Sequence, residues 1–436
     1  MNGIPADNIT VNENGKLCFA GRDVTLLGKK YGTPLWLLDE ERLRENCRKY
    51  TSAVKKCMKK GSMVLYASKA LCMKGLYPIL LEEGMGADVV SGGEIATALV
   101  AGFPADRLYF HGNNKSAEEL DYALDKGIGA VIVDNGYELG LLDAAAGKKG
   151  KKQDVLLRLT PGIDPHTFNA VDTGRIDCQF GMPVETGQAK DFVIEALKCK
   201  NLTLKGYHFH IGSQIFDTVP FIDALKIMAR FSAEIRQAAG YEPSVLDIGG
   251  GFGVRYKEED PLMDIPGGIR AIQGALEEIW AEAGLELPAV MLEPGRSIVA
   301  DAVMTVYTAG PVKEINGYRK YVIVDGGMSD NPRYALYHSK YTVLNASRMD
   351  ESEMVEISVS GRCCEPGALI QEYVKISLPH PGDTIAVCTT GAYNYSMASN
   401  YNRLPKPAMV MLMSGGGDRL MIRRQTWEEM AECELI

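Results

Sequence analysis

The chain has 436 residues, 46% of them hydrophobic and 24% charged, which is ordinary globular composition at a length that suits two domains. Forty-seven basic against 56 acidic residues leave a net charge of −9, which excludes the basic stripe that binding nucleic acid would demand. The polar start MNGIPADNITVNENG is no signal peptide, the longest apolar runs (AMVMLM, 408–413) are too short to cross a membrane, and ten cysteines without a C-x-x-C pair predict no metal site and fit free thiols in the cytoplasm.

Residues 1–33 read as short strands and turns, as in KLCFAGRDVTLL. From 34 to 300 one unit recurs: a short run rich in Val, Ile, Leu or Tyr ends in polar or glycine residues and leads into a helix-like stretch. The runs are MVLYA (63–67), ADVV (87–90), RLYFH (107–111), AVIVD (130–134), DVLLRL (154–159), KGYHFH (205–210), SVLDI (244–248) and AVMLE (289–293). Stretches such as SAEELDYALDKG and GIRAIQGALEEIWAEAG lie between them, with apolar residues three and four apart. Several runs are apolar on both alternations, as strands covered on both faces must be. Eight such repeats predict a parallel (β/α)8 barrel over 34–300, with a doubly wound open sheet as the alternative. Beyond 300 helical periodicity is scarce. Runs such as KYVIVDGG, MVEISVSG, EYVKISL and DTIAVCTTGAY are separated by Gly, Pro, Asn and Asp, which predicts a mostly β second domain from 301–436 together with 1–33.

In such a barrel the chemistry gathers at the carboxyl ends of the strands. Lys69 follows the first run. Alone it reads as a solvated loop lysine. Ser91 and Glu94 follow the second in the spacing of a capping box. His111 ends the third; HFHIGSQ ends the sixth with His208, His210 and Ser213; DIGGGFG ends the seventh; and EPGRS ends the eighth with Glu293 and Arg296. Gly249, Gly250 and Gly251 let backbone N–H groups approach an anion, although the same triplet could be no more than a tight turn. Their spacing is not that of a dinucleotide fingerprint, because Val254 stands where its last glycine would be. A small phosphorylated cofactor fits better. A lysine amine, a phosphate cradle and a carboxylate together suit pyridoxal phosphate, whose aldehyde bonds to a lysine and whose ring nitrogen wants an acidic partner. Glu293 could be that partner and His210 could stack on the ring, whereas His208 alone reads as a core histidine.

At this point the motifs YASKA, HFHIGSQ, DIGGGFG, EPGRS, CCEPG and GAYNYSMASNYN resemble the fold-type III pyridoxal phosphate-dependent decarboxylases, in the expected order and over nearly the whole chain. The wording is nearest to the branch that acts on meso-2,6-diaminopimelate. The resemblance implies that Lys69 carries the cofactor, with His210, Ser213, Gly250, Glu293, Gly295, Arg296 and Tyr393 around it. It implies that Arg296, Arg333, Tyr337, Glu365 and Tyr393 bind substrate, and that Cys364 is the acid that returns a proton after CO2 leaves. It also implies a homodimer whose subunits share active sites, with Cys364 and Glu365 supplied by the partner. An unperturbed thiol, with a pKa of about 8.5, is mostly protonated at neutral pH and can donate. The implied reaction converts meso-diaminopimelate to L-lysine and CO2, the last step of bacterial lysine synthesis. Paired arginines suit a substrate with a distal carboxylate and would oppose a distal ammonium standing alone.

Gln179, Pro366 and Ala368 depart from the family's usual wording. A decarboxylase of another basic amino acid, a racemase-like isomerase on the same barrel and a non-catalytic homologue are the rival readings. The last is disfavoured by the presence of Lys69, Cys364 and Glu365.

Overall fold

A computed structural model of the chain describes residues 3–163 and 176–436. They fall into two units. One comprises Asn46–Gly253 and Leu262–Gly295; the other comprises Met1–Glu45, Val254–Pro261 and Arg296–Ile436.

In the first unit eight strands run in parallel: Met63–Ala67, Gly86–Val89, Leu108–Phe110, Ala130–Val133, Gln153–Thr160, Leu202–His208, Val245–Asp247 and Ala289–Leu292. Each pairs with the next. The eighth returns to the first through Met291 opposite Met63 and Leu292 opposite Val64. The sheet is thus the closed barrel expected from sequence, and the open sheet is excluded. Strands such as Ala130–Val133 and Ala289–Leu292 are buried at every position, which is why their sequences do not alternate. The intervening helices carry local start and stop signals. Ala117–Lys126 begins at a capping box in which Ser116 accepts from Glu119 N–H and Glu119 accepts from Ser116 N–H, both at 3.1 Å, and it ends at Gly127 with φ 70°.

The second unit is built on the strand Val303–Ile315. Its first half pairs with Leu35–Asp39 on one side and Thr384–Val387 on the other. Its second half pairs with Arg319–Val324 after an irregularity between Ala309 and Val312. Leu35–Asp39 also pairs in parallel with Ala408–Leu412, and Leu35, Leu37, Val306, Ala386 and Val410 share one buried cluster with Leu17, Phe19 and Val24. The boundary expected at residue 34 is therefore corrected. Leu35–Asp39 is apolar like a barrel strand, but its ladder partners lie in the β-rich unit, so the barrel unit begins at Asn46. The stretch Val24–Tyr31, read as strand and turn, is a helix capped by Asp23, whose carboxylate accepts from Thr25 N–H at 2.8 Å. Among the described residues no helix is long and apolar enough to cross a membrane.

The sixth strand slips register between Leu204 and Gly206, and a Cβ at Gly206 would overlap the carbonyl oxygen of Val245 on the seventh. Gly206→Ala should destabilise the protein by about 3 kcal/mol in urea unfolding, because backbone on both sides prevents relaxation. A change within error would show that the two strands can part without cost.

Candidate active site

Lys69 sits on the short 3-10 turn Ser68–Ala70 that follows the first barrel strand. The turn is pinned from beneath. Tyr77 donates to Ser68 Oγ at 3.0 Å, Tyr66 donates to the carbonyl of Leu71 at 3.0 Å, and the side chains of Tyr66, Ser68 and Tyr77 are all buried. The eighth strand abuts it: Ala67 N–H donates to Pro294 O at 3.2 Å, and an added Cβ at Gly295 would lie 2.9 Å from Ala67 Cβ. The charge of Lys69 is felt at His210, where it helps to depress the pKa, and at Asp88 and Glu94, where it opposes the effect of burial. His210 Nδ1 accepts from Gly250 N–H at 3.2 Å, and a Cβ at Gly250 would overlap the carbonyl of Glu293. Ser213 follows on the loop after the sixth strand, where Ile215 N–H donates to Gly251 O at 2.9 Å. Lys69, His210, Gly250, Glu293 and Gly295 are thus gathered at one mouth of the barrel.

Beside them lies a buried polar cluster. Glu293 Oε2 is 3.1 Å from His208 Nε2, and Oε1 is 2.6 Å from His111 Nε2 without hydrogen-bond alignment. One polar atom from each of His111, His208, Asp247 and Glu293 lies within 4.8 Å of the others. Burial opposes the charge of Glu293, yet the two imidazoles hold its carboxyl well below the usual range. Burial drives His208 down to about 4 despite Glu293, so it is neutral. Burial and then the charge of Lys69 hold His210 well below the ordinary histidine value. Asp88 is pushed up by burial, tempered by His111. Arg158, from the fifth strand, is 4.0 Å from Asp134 and acts on Asp88 and Glu293. His208, which by itself reads as packing, is therefore a partner of Glu293. Asp88, Arg158 and Asp247 escaped the sequence reading. The available signal was a charged residue inside a strand whose neighbours are all apolar, since both faces of such a strand are covered.

In the β-rich unit Arg296, Arg333, Tyr337 and Tyr393 come together. The Arg296 and Arg333 guanidinium carbons lie 4.9 and 5.2 Å from the Tyr393 ring, and Arg333 is 5.0 Å from the ring of Tyr337. Arg296 also donates to Tyr256 Oη at 2.9 Å. Tyr256 is itself buried. Arg333 is buried, its Nε has no partner, and among the described residues no carboxylate pairs with it; Ser339 Oγ is 3.4 Å from one terminal nitrogen. Tyr393 holds a positive φ of 65°. Cys364 and Glu365 stand apart, on an exposed loop where Cys364 N–H donates to Asn402 Oδ1 at 2.7 Å and Tyr401 donates to Glu365 at 3.3 Å. Of the departures, Gln179 and Pro366 are exposed. Ala368 is buried, and its carbonyl accepts from Gly361 N–H at 2.7 Å.

The barrel residues fit pyridoxal phosphate. An amine follows the first strand, an ionised and buried carboxylate follows the eighth, and Gly249, Gly250 and Gly251 let the loop after the seventh strand pack directly on the backbone of its neighbours.

Residues 41–300 match the family model described as pyridoxal-dependent decarboxylase, pyridoxal binding domain. The chain is 42% identical over 424 residues to the diaminopimelate decarboxylase of Bacillus subtilis (strain 168), covering 97% of this chain and 96% of that protein. It is similar to the crystal structure of diaminopimelate decarboxylase from M. jannaschii in complex with L-lysine, with a TM-score of 0.90, 30% identity and 99% and 98% of the two chains covered. The enzyme of the same name from Helicobacter pylori, also complexed with L-lysine, matches with a TM-score of 0.85 and 30% identity over 94% of this chain and 99% of that one.

Glu94 supplies a test of these electrostatics. Ser91 Oγ accepts from Glu94 N–H at 3.2 Å, while the Glu94 carboxylate accepts from Val90 N–H at 2.8 Å, so the helix start is as expected and the carboxylate is turned inward. Burial raises its pKa to about 7. The folded state therefore holds this proton more tightly than the unfolded chain. Its stability contribution is greatest below about pH 4.5 and is lost as pH rises to about 7. Measured against Glu94→Gln, which keeps the acceptor, the cofactor-free parent should lose on the order of 3 kcal/mol between pH 4.5 and 8. A constant difference across that range would show that Glu94 titrates normally.

Proposed function

The chain belongs to the pyridoxal-dependent decarboxylases, and from that membership we propose that it removes CO2 from meso-2,6-diaminopimelate and releases L-lysine, the final step of bacterial lysine biosynthesis. The observation that carries the substrate is the pair of buried guanidiniums on Tyr393, one of them with an unpartnered Nε. A buried cation without a counter-ion is costly, and a substrate carboxylate relieves that cost through parallel charge-assisted hydrogen bonds. Ornithine or lysine would bring an ammonium and no carboxylate.

Bound pyridoxal phosphate supplies an electron sink for the carbon that loses CO2. The chain's residues do the remainder. Lys69 Nζ would anchor the cofactor, His210 would face its ring and Glu293 would keep a proton on the ring nitrogen. Ser213, the backbone of Gly250, Gly295 and Arg296, and Tyr393 would hold the phosphate. Arg333, with Tyr337 and Arg296, binds the distal carboxylate, and Glu365 takes the distal ammonium. Cys364 Sγ returns a proton to the carbon from which CO2 departed. Because Cys364 and Glu365 sit on an exposed loop, we assign them to the partner subunit's site in a homodimer. All ten cysteines are unbridged, which supports a cytoplasmic setting.

CO2 release measured across meso-diaminopimelate, ornithine, D-lysine and arginine should favour the first; preference for a substrate lacking the distal carboxylate would overturn the specificity. Arg333→Met should raise KM for diaminopimelate roughly 10- to 100-fold with a smaller loss of kcat. Cys364→Ala should keep the cofactor's absorbance and lose about 10²-fold or more in kcat; full turnover would exclude it as the acid.

A further inference from the structure

Among the carboxyls at the mouth of the barrel that the proposed chemistry does not use, Asp247 lies closest to the pair formed by Glu293 and His208. Asp247 ends the seventh strand, and its side chain is fully buried. Oδ1 accepts from Gly249 N–H at 2.9 Å, which fixes the plane of the carboxyl. Oδ2 is buried and has no partner. Glu293 approaches from the adjacent eighth strand: Oε2 is 3.1 Å from His208 Nε2, Oε1 is 2.6 Å from His111 Nε2 without hydrogen-bond alignment, and a carboxyl oxygen of Asp247 lies within 4.8 Å of one of Glu293. Two ionised carboxylates can only accept, so Glu293 could offer nothing to Asp247 Oδ2. One proton between them turns Asp247 into a donor. Two carboxyls this close in a dry site do not both ionise.

We propose that Asp247 is carried as the neutral carboxylic acid and donates a hydrogen bond to Glu293, making it a positioning residue for the carboxylate that serves the cofactor's ring nitrogen. This rests on the pyridoxal phosphate reading above. The surroundings decide which carboxyl keeps the proton. Glu293 has His208 and His111 on its two oxygens, whereas Asp247 accepts from the backbone N–H of Gly249. Lys69 and Arg158, the nearby cations, act on Asp88 and on the Glu293 side of the cluster. Burial, and then the charge of Glu293, hold the Asp247 carboxyl well above the ordinary range, in the direction the geometry requires. The arrangement gives Glu293 a donor from each side. His208 supplies Nε2–H at 3.1 Å on Oε2, and the Asp247 O–H adds a second uncharged donor. With its hydrogen bonds made by neutral donors, Glu293 keeps its full charge for the ring nitrogen.

An uncharged donor has an uncharged mimic. In Asp247→Asn the amide oxygen keeps the Gly249 N–H and the amide nitrogen replaces the O–H. In Asp247→Leu the volume remains and the donor is gone. Both variants, the parent and a Glu293→Gln control are reconstituted with pyridoxal phosphate labelled with 15N in the ring. The nitrogen's chemical shift is then followed against pH, and occupancy is read from the borohydride-fixed label at Lys69. The expected result is that Asp247→Asn matches the parent curve, while Asp247→Leu lowers the ring-nitrogen midpoint by about one unit or more at full occupancy. Protonation lost in Asp247→Asn as completely as in Glu293→Gln would mean that Asp247 acts as an anion; an unchanged curve in Asp247→Leu would mean that it only packs. Either result overturns the proposal. Infrared spectra of the cofactor-free protein decide the case where the Leu variant fails to fold. A protonated-carboxyl band present in the parent and absent from Asp247→Asn supports the assignment, and its absence from the parent removes it. The same spectra hold if no label is fixed at Lys69, an outcome that would defeat the cofactor reading and not the proton on Asp247.

Discussion

Closure of the eighth barrel strand onto the first is the constraint from which the site follows. Two residue pairs make it, Met291 with Met63 and Leu292 with Val64, and they turn eight strands into a ring. In a parallel ring every carboxyl end faces the same way, so residues far apart in the chain meet at one mouth. Lys69 and Glu293 become neighbours because their strands are adjacent across the seam, and the seam continues past the strands in the bond from Ala67 N–H to Pro294 O. Gly295 permits that continuation, since a side chain there would meet Ala67 and Ala70.

Inside that mouth the electrostatics follow from dehydration. Asp88, Asp247 and Glu293 are all buried, as are His111 and His208, and water cannot pay for their charges. The protein concentrates one negative charge on Glu293 by surrounding it with imidazoles, while burial pushes the other two carboxyls toward their neutral forms. A polar cluster of this kind costs stability, and the apolar strands beneath it offset that cost.

The β-rich unit contributes a different device. Arg296 and Arg333 are planar cations stacked against Tyr393, with Tyr256 and Tyr337 completing the setting. Stacking holds a guanidinium in place while leaving its N–H edge available to a carboxylate, which a lysine ammonium could not do. The long strand Val303–Ile315 supports this unit by pairing with three other strands along its length.

The sequence by itself determined what depends on local pattern: the number and position of the barrel strands, the helix at Ala117–Lys126 with its capping box, and the chemical character of the residues after each strand. These were legible because burial on both faces leaves an apolar run and because capping and glycine turns act over a few residues. Long-range pairing was not legible. Leu35–Asp39 has the same apolar composition as a barrel strand, and only its ladder with Val303–Ile315 and Ala408–Leu412 assigns it to the β-rich unit. The same limit applied at the site. His208 looked like packing, and Asp247 and Tyr256 were not singled out. Their roles depend on Glu293 and Arg296, residues 40 or more positions away, and only tertiary structure brings together partners whose charge and protonation are decided by what they face.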